Sequence, residues 1–240
     1  MSDYWDNICK AIDVKMSGDM SNFLEWKEIQ ETMFCEADIV ELITLQQSNW
    51  GLWREALKEN PYGKPRPYPA YLPSSGNMIH HAYLIDRFLQ VDLTKINRVL
   101  ELGGGYGSLC RLFYNLGYTG KYKIIDLPTF STLQRIYLEN IGHLPKLMDG
   151  QITLTTDTET KIETDLFIAM SSLSETPREF RDNILNKIKF KKALIIFYRE
   201  WHGDNVEYFN DFIKRYTSHS WKLTEIEHLP GNYALVGDLI

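Results

Sequence analysis

A chain of 240 residues, with 44% hydrophobic and 24% charged residues, is long enough for one sizeable α/β domain plus a helical addition, and its formal charge of −6 argues against nucleic acid, whose usual footprint on a protein is a basic face. Cys9, Cys35 and Cys110 are odd in number and lack metal spacing, so reduced, partly buried thiols are expected. The start has no basic stretch leading into an apolar core, and no run is long enough to span a membrane, so a cytoplasmic protein is expected.

In chain order, residues 22–33 and 38–57 read as helices, with Leu42, Ile43, Trp50, Trp53 and Leu57 recurring near helical spacing. They are expected to form a cap. Residues 60–77 follow, in which Pro61, Pro65, Pro67, Pro69 and Pro73 suppress helix and central strand alike. This stretch reads either as a plain linker or as a rigid loop offering Tyr68 and Tyr71 as stacking surfaces for a sugar or ring. The expected division is therefore a cap with its Pro/Tyr-rich loop over 1–77 and a ligand-binding domain over 78–240. His80 and His81 fall on a helix entering that domain and, being adjacent, are expected to face different ways.

Residues 99–107 read as an apolar strand, with Glu101 just before a turn at Gly103, Gly104, Gly105, Tyr106 and Gly107. Glycine lets the backbone turn sharply and lie against a ligand at the carboxyl end of a parallel strand. Leu109, Leu112, Phe113 and Leu116 then recur at helical spacing, and Gly117 suits the helix end. About 20 residues beyond such a turn a ribose site wants an acid ending the second strand, and Asp126 supplies it after residues 121–125. The plainer reading of Asp126 is a turn residue capping the next helix. Further strands are expected at 152–156, with Asp157 at its end, at 165–170 and at 192–198, with helices at 129–141, 177–188 and 206–217. Residues 221–228 and 233–238, joined by Leu-Pro-Gly-Asn, read as a closing β-hairpin.

A dinucleotide fingerprint needs a small third residue where Ser108 stands, so the match there is imperfect. Acidic-x-Gly-x-Gly-x-Gly, at Glu101, Gly103, Gly105 and Gly107, fits without a gap and resembles motif I of the Rossmann-like, class I S-adenosylmethionine (SAM) methyltransferases. The resemblance implies a seven-stranded sheet with helices on both faces and a C-terminal hairpin. It implies SAM as cofactor and S-adenosylhomocysteine as product, with Gly103, Gly104, Gly105 and Tyr106 under the methionine part and Glu101 near its ammonium. Asp126 would then accept from the ribose, Leu127 and Pro128 would edge the adenine, and Asp157 and Ser171 would border the cofactor. The set of Ser75, Asn77, Ile79, His80, His81 and Tyr83, then 100–107, then Ile125-Asp-Leu-Pro128, then Asp165-Leu-Phe with Ser172-Leu-Ser-Glu175, is similar to a sugar O-methyltransferase family over about 100 residues. That narrower likeness implies methylation of a sugar hydroxyl in a surface glycan, oligosaccharide or nucleotide sugar, alongside glycosyltransferases.

Methyl transfer to an alcohol needs the acceptor oxygen in line at about 3 Å and a base within hydrogen-bond reach of its proton. The candidate bases are Glu175 and His202, after the fourth and fifth strands, and His81, on the segment entering the sheet; His80, Arg199 and Trp201, with Tyr68 and Tyr71, are the candidate acceptor contacts. Each has a plainer role: packing for His80 and His81, a helix cap for Glu175, an exposed turn for His202, and a surface ion pair with Glu200 for Arg199. No histidine spacing suggests a metal, so a divalent ion is not expected, although Asp157, Asp165 and Glu175 leave it open. A phenolic or peptide acceptor, a nicotinamide-dependent oxidoreductase and a non-catalytic scaffold are the competing readings.

Overall fold

The structure, a computed structural model, describes residues 3–90, 92–201 and 203–240. The amino-terminal part is helical: α1 (Asp3–Met16), α2 (Lys27–Met33), α3 (Ile39–Gln47) and α4 (Trp50–Ala56). A two-stranded hairpin, β1 (Pro67–Tyr68) and β2 (Tyr71–Ser75), leads into α5 (Gly76–Leu84). Then come β3 (Arg98–Leu102), α6 (Ser108–Asn115), β4 (Lys121–Ile125), α7 (Pro128–Leu138), α8 (Leu144–Met148), β5 (Ile152–Thr155) and β6 (Ile162–Met170). The chain ends with α9 (Arg178–Leu185), β7 (Ile188–Tyr198), α10 (Asn205–Arg215), β8 (His219–Glu225) and β9 (Asn232–Leu239).

Seven strands form one sheet in the order β5-β4-β3-β6-β7-β9-β8. The first five are parallel, and β9 runs antiparallel to both β7 and β8, so the expected seven-stranded sheet with its closing hairpin is present. A side-chain period of two sends Val99, Leu166, Ile168, Leu194 and Ile196 into one core and Leu100, Leu102, Phe167, Ala169, Ile195 and Phe197 into the other. The first core is closed by α5, α6, α7 and the amino-terminal helices, the second by α9 and α10, which explains why the strands read as continuous apolar runs. Phe209 and Phe212 of α10 are fully buried in the second core, each stabilising by about 1.5–3 kcal/mol.

The amino-terminal helices share the first core. Ile12, Phe23, Ile29, Leu42 and Trp53 belong to the same cluster as Leu109 and Phe113 of α6. Arg111 of α6 adds a buried ion pair with Glu59 and a bond to the Lys58 carbonyl, and Asn115 donates to the Ala56 carbonyl at 2.9 Å. Losing one member of such a pair leaves an uncompensated buried charge, at a cost of about 3–5 kcal/mol.

Several boundaries differ from the periodicity. Residues 22–33 are not one helix: a 3-10 turn at Phe23–Glu25 is followed by extended Trp26 and then α2, because the Leu24 N–H donates to the Gly63 carbonyl and the Gly63 N–H donates to the Ser21 carbonyl. Residues 38–57 split into α3 and α4, with Asn49 capping the second helix on the N–H of Leu52. The segment around Cys9 reads as helical without bounds in the sequence and forms α1, Asp3–Met16. Ile188, expected to end a helix, instead begins β7, paired in register with Ile162. Among the described residues no helix is long and apolar enough to cross a membrane.

Candidate active site

Strand order reverses between β3 and β6, where β4 and β5 lie to one side and β7 to the other. Loops leaving the carboxyl ends of strands diverge at such a switch point and open a crevice. Here it becomes a cavity of about 630 Å³, within the range of roughly 300–1,000 Å³ usual for small-molecule sites. Glu101 and the turn from Gly103 to Tyr106 come from β3, Asp126 to Pro128 from β4, Thr156 and Thr158 from β5, Ser171, Ser172 and Glu175 from β6, and Tyr198 from β7.

The turn is held by close backbone approach. Gly103 has φ +73°, its N–H donates to the Ile125 carbonyl at 2.9 Å, and a Cβ there would lie 2.3 Å from Cβ of Ser172, whose hydroxyl donates to the Leu102 carbonyl. Only glycine fits. Gly105, at φ +57°, faces Met33 with nothing nearer than 3.6 Å to a Cβ, so its backbone is open to the cavity.

Two carboxyls flank this turn. Glu101 is 2% exposed and accepts the Tyr122 hydroxyl at 2.9 Å; burial, aided by nearby Asp126 and opposed by that hydroxyl, pushes it up to about 8. Asp126 accepts from the Leu127 N–H at 2.8 Å and from Gln134 Nε2 at 2.7 Å, yet burial still raises it to about 7. Neither has a cationic partner among the described residues. The same Gln134 nitrogen donates to the Gly105 carbonyl at 3.0 Å and so binds the acid of β4 to the glycine turn.

Against the glycine turn, Ser171 takes a left-handed backbone, φ +65° and ψ −26°, that side chains rarely adopt, and opens the 3-10 turn Ser172–Glu175. That turn carries Glu175 to the cavity wall, where burial alone raises its carboxyl to about 8 and no hydrogen bond reaches it among the described residues. Sequence reasoning put His80 and His81 on different faces, with at most one in a site; both line the cavity. Neighbours on a helix are about 100° apart, so a helix lying along a cavity wall shows it two successive side chains. His81 Nδ1 lies 3.2 Å from Ser108 Oγ, and burial, with His80 beside it, lowers it to about 3, leaving a neutral ring. His80 Nδ1 meets Glu41 at 2.8 Å; against the effect of burial, the Cys35 side chain and Glu41 raise it to about 10.

Other sequence candidates lie elsewhere. Tyr71 packs edge-on against Trp50, 5.2 Å between centroids, and its hydroxyl donates to the Arg54 carbonyl, because the proline-rich segment folds back as a hairpin onto α4; neither Tyr71 nor Tyr68 lines the cavity. Arg199 stacks 5.1 Å over the Tyr233 ring and bonds its hydroxyl, while Trp201 meets Tyr4 edge-on at 5.9 Å, and both lie outside the cavity lining. Asp157 is exposed and turns its carboxylate back onto the N–H groups of Glu159 and Thr160, leaving Thr156 and Thr158 to border the cavity. His202 lies outside the described residues.

The cavity also recruits residues that carried no motif. Trp5 of α1 stands edge-on to Phe130 at 5.6 Å, Phe34 stacks on Tyr106 at 5.7 Å, Ile226 and Leu229 come from the loop between β8 and β9, and Asn232 opens β9. Asn77 ties them together: its carbonyl accepts the Cys35 N–H at 3.2 Å and its amide donates to the Tyr106 hydroxyl at 3.2 Å. Among the described residues no group of His, Cys, Asp and Glu is arranged to hold a metal ion.

No family model matches the chain, and no curated protein matches it either. Solved structures do. An O-methyltransferase family protein from Burkholderia thailandensis is similar at a TM-score of 0.51 and 12% identity, over 68% of this chain and 57% of that one. The methyltransferase domain of bacterial-CtHen1-CN is similar at a TM-score of 0.50 and 13% identity, over 61% of this chain and 92% of that one. The chain thus spans little more than half the length of the first. At such identities the likeness speaks to architecture, and the architecture of this chain is the seven-stranded, mostly parallel sheet of the methyltransferase fold.

Proposed function

We propose that this chain is a SAM-dependent O-methyltransferase whose acceptor is a sugar hydroxyl, with residues 1–77 forming a cap over the site. The supporting observation is convergence: Asn77, His80 and His81, the glycine turn with Glu101, Asp126 to Pro128, and Ser172 with Glu175 belong to separate segments of one resemblance and border one cavity.

The residues present fit the cofactor. Glu101 and Asp126 are buried acids without a cationic partner, which suits a ligand carrying positive charge, and the Gly105 backbone leaves room beside them. Glu101 would take the ammonium, Asp126 the ribose hydroxyls, and Leu127, Pro128, Phe130 and Trp5 the adenine edge. When bound there, SAM supplies an electrophilic methyl group on a sulfonium.

The rest is done by the chain. Glu175 lines the same cavity with a carboxyl raised to about 8, a strong base for a carboxylate, and takes the acceptor hydroxyl proton as the new C–O bond forms. Phe34, Phe180, Tyr198, Ile226 and Leu229 exclude water around it and stack against an acceptor ring. The same apolar wall favours a second reading, a phenolic acceptor.

The test is calorimetry with SAM, S-adenosylhomocysteine and NADH, followed by methyl transfer to mono- and oligosaccharides and to simple phenols. Micromolar binding of the first two, with transfer to sugars, is the expected result; binding of NADH alone overturns the methyltransferase reading, and transfer confined to phenols overturns the sugar.

A further inference from the structure

One carboxylate of the cap holds two imidazoles. Glu41 of α3 is fully buried, and its Oε1 meets both His80 Nδ1 and His228 Nε2, each at 2.8 Å. Its Oε2 has no hydrogen-bond partner among the described residues, and no Lys or Arg pairs with it there. A protonated ring beside a buried carboxylate offsets the cost of burying it, and His80 is raised to about 10 by the Cys35 side chain and Glu41 against the effect of burial.

His80 is the ring that borders the cavity, with Cys35 on the same wall. With Nδ1 turned to Glu41, its remaining N–H is Nε2, and the Cys35 side chain is the other neighbour that acts on the ring. The described lining holds no Lys or Arg, and the adjacent His81 is kept neutral, so His80 is the cationic point among the described lining residues.

We propose that His80 is a carboxylate-recognition point of this cavity, with Glu41 as the residue that positions it. The inference rests on the methyltransferase reading above. Two sources of a carboxylate are within its surroundings. Asn77 and His81, on the same helix as His80, contact Tyr106 and Ser108 beside the glycine turn, where the methionine end of the cofactor would lie. On the other side, the His228 loop also brings Ile226, Leu229 and Asn232 to the wall facing an acceptor, so an acidic sugar is the alternative source.

The experiment compares wild type, His80→Gln and Glu41→Gln with two pairs of probes. Calorimetry compares SAM with decarboxylated SAM. Titration of the S-adenosylhomocysteine-loaded protein compares D-glucuronate with D-glucose, read on the imidazole nitrogens by NMR. Hydrogen bonds to charged groups imply that wild type prefers the carboxylate member of at least one pair by about 10- to 100-fold. The preference disappears in His80→Gln and shrinks in Glu41→Gln, while 5′-methylthioadenosine, which lacks the methionine tail, binds all three alike. Preference within the first pair identifies the cofactor's carboxylate, and within the second an acidic acceptor. A wild type indifferent in both pairs, or a preference intact in His80→Gln, overturns the proposal. Should His80→Gln not fold, the wild-type His80 Nε2 resonance decides, since it must move with the carboxylate member and stay still with the neutral one. If wild type binds neither SAM nor 5′-methylthioadenosine, the cofactor reading itself fails and takes this inference with it, a result distinct from indifference to the carboxylate.

Discussion

Gln134 of α7 lies 2.7 Å from the Asp126 carboxylate, and the same nitrogen reaches the Gly105 carbonyl at 3.0 Å. One amide therefore sets the distance between the acid proposed for the ribose and the turn proposed for the methionine end. Replacing Gln134 with Ala removes a bond to a charged group, worth about 1.5–3 kcal/mol, so SAM affinity is expected to fall roughly 10- to 100-fold. Calorimetry on a variant with a native circular dichroism spectrum measures this; unchanged affinity would show that Asp126 needs no such support.

Binding is expected to depend on pH. Glu101 at about 8 and Asp126 at about 7 are partly protonated near neutrality, whereas a cationic ligand favours their ionised forms. SAM affinity should therefore rise from pH 6 to 9, and binding at pH 7 should release protons, seen as a binding heat that varies with the ionisation heat of the buffer. The free protein behaves in the opposite sense. These acids are raised above their unfolded values, so the folded state holds more protons between about pH 5 and 8, and the ligand-free protein loses stability as pH rises through that window. A melting temperature that climbs over the same range without ligand would contradict these shifts.

Glu175→Gln keeps the shape of the side chain and removes its basicity. Loss of a general base costs about 10²- to 10⁴-fold in turnover, with SAM affinity retained. In wild type the rate should rise with pH up to about 8, the limb that reports Glu175, and the variant should lack that limb. Full turnover by Glu175→Gln would assign the proton to another group or leave positioning as the source of rate.

Two glycines of the same turn should respond differently to alanine. Gly103→Ala meets Ser172 at 2.3 Å in a backbone of φ +73°, so overpacking of about 1–3 kcal/mol adds to a left-handed penalty of about 1–2 kcal/mol. Gly105→Ala carries the backbone penalty alone, since its Cβ meets nothing nearer than 3.6 Å, and Gly105→Val extends further toward the space proposed for the ligand. Thermal melts should rank Gly103→Ala as less stable than Gly105→Ala, and Gly105→Val should lose SAM binding while still folded.

The sheet and its glycine turn were legible in the sequence because both are written locally. Apolar runs such as 165–170 and 192–198 mark strands buried on two faces, and Glu101, Gly103 and Asp126 sit at spacings that backbone geometry requires. Glu175 was readable for the same reason, as the residue that a short turn carries past the end of β6. Periodicity failed where a distant contact chose the break, as when the loop at Gly63 ended the helical reading of residues 22–33 at Trp26.

What only the tertiary structure decided was which long-range neighbours the site recruits. Glu41 and His228 are far apart in sequence and share one oxygen contact, Phe34 reaches Tyr106, and Trp5 reaches Phe130; none of these pairings leaves a spacing to read. The same folding carried Tyr68 and Tyr71 away from the cavity, because the proline-rich segment pairs with itself as β1 and β2 and Tyr71 packs on Trp50 of α4. Local backbone rules determine strands and turns within a few residues, whereas side-chain environment depends on the packing of the whole chain, and the charge states of Glu101, Asp126, Glu175 and His80 were set there.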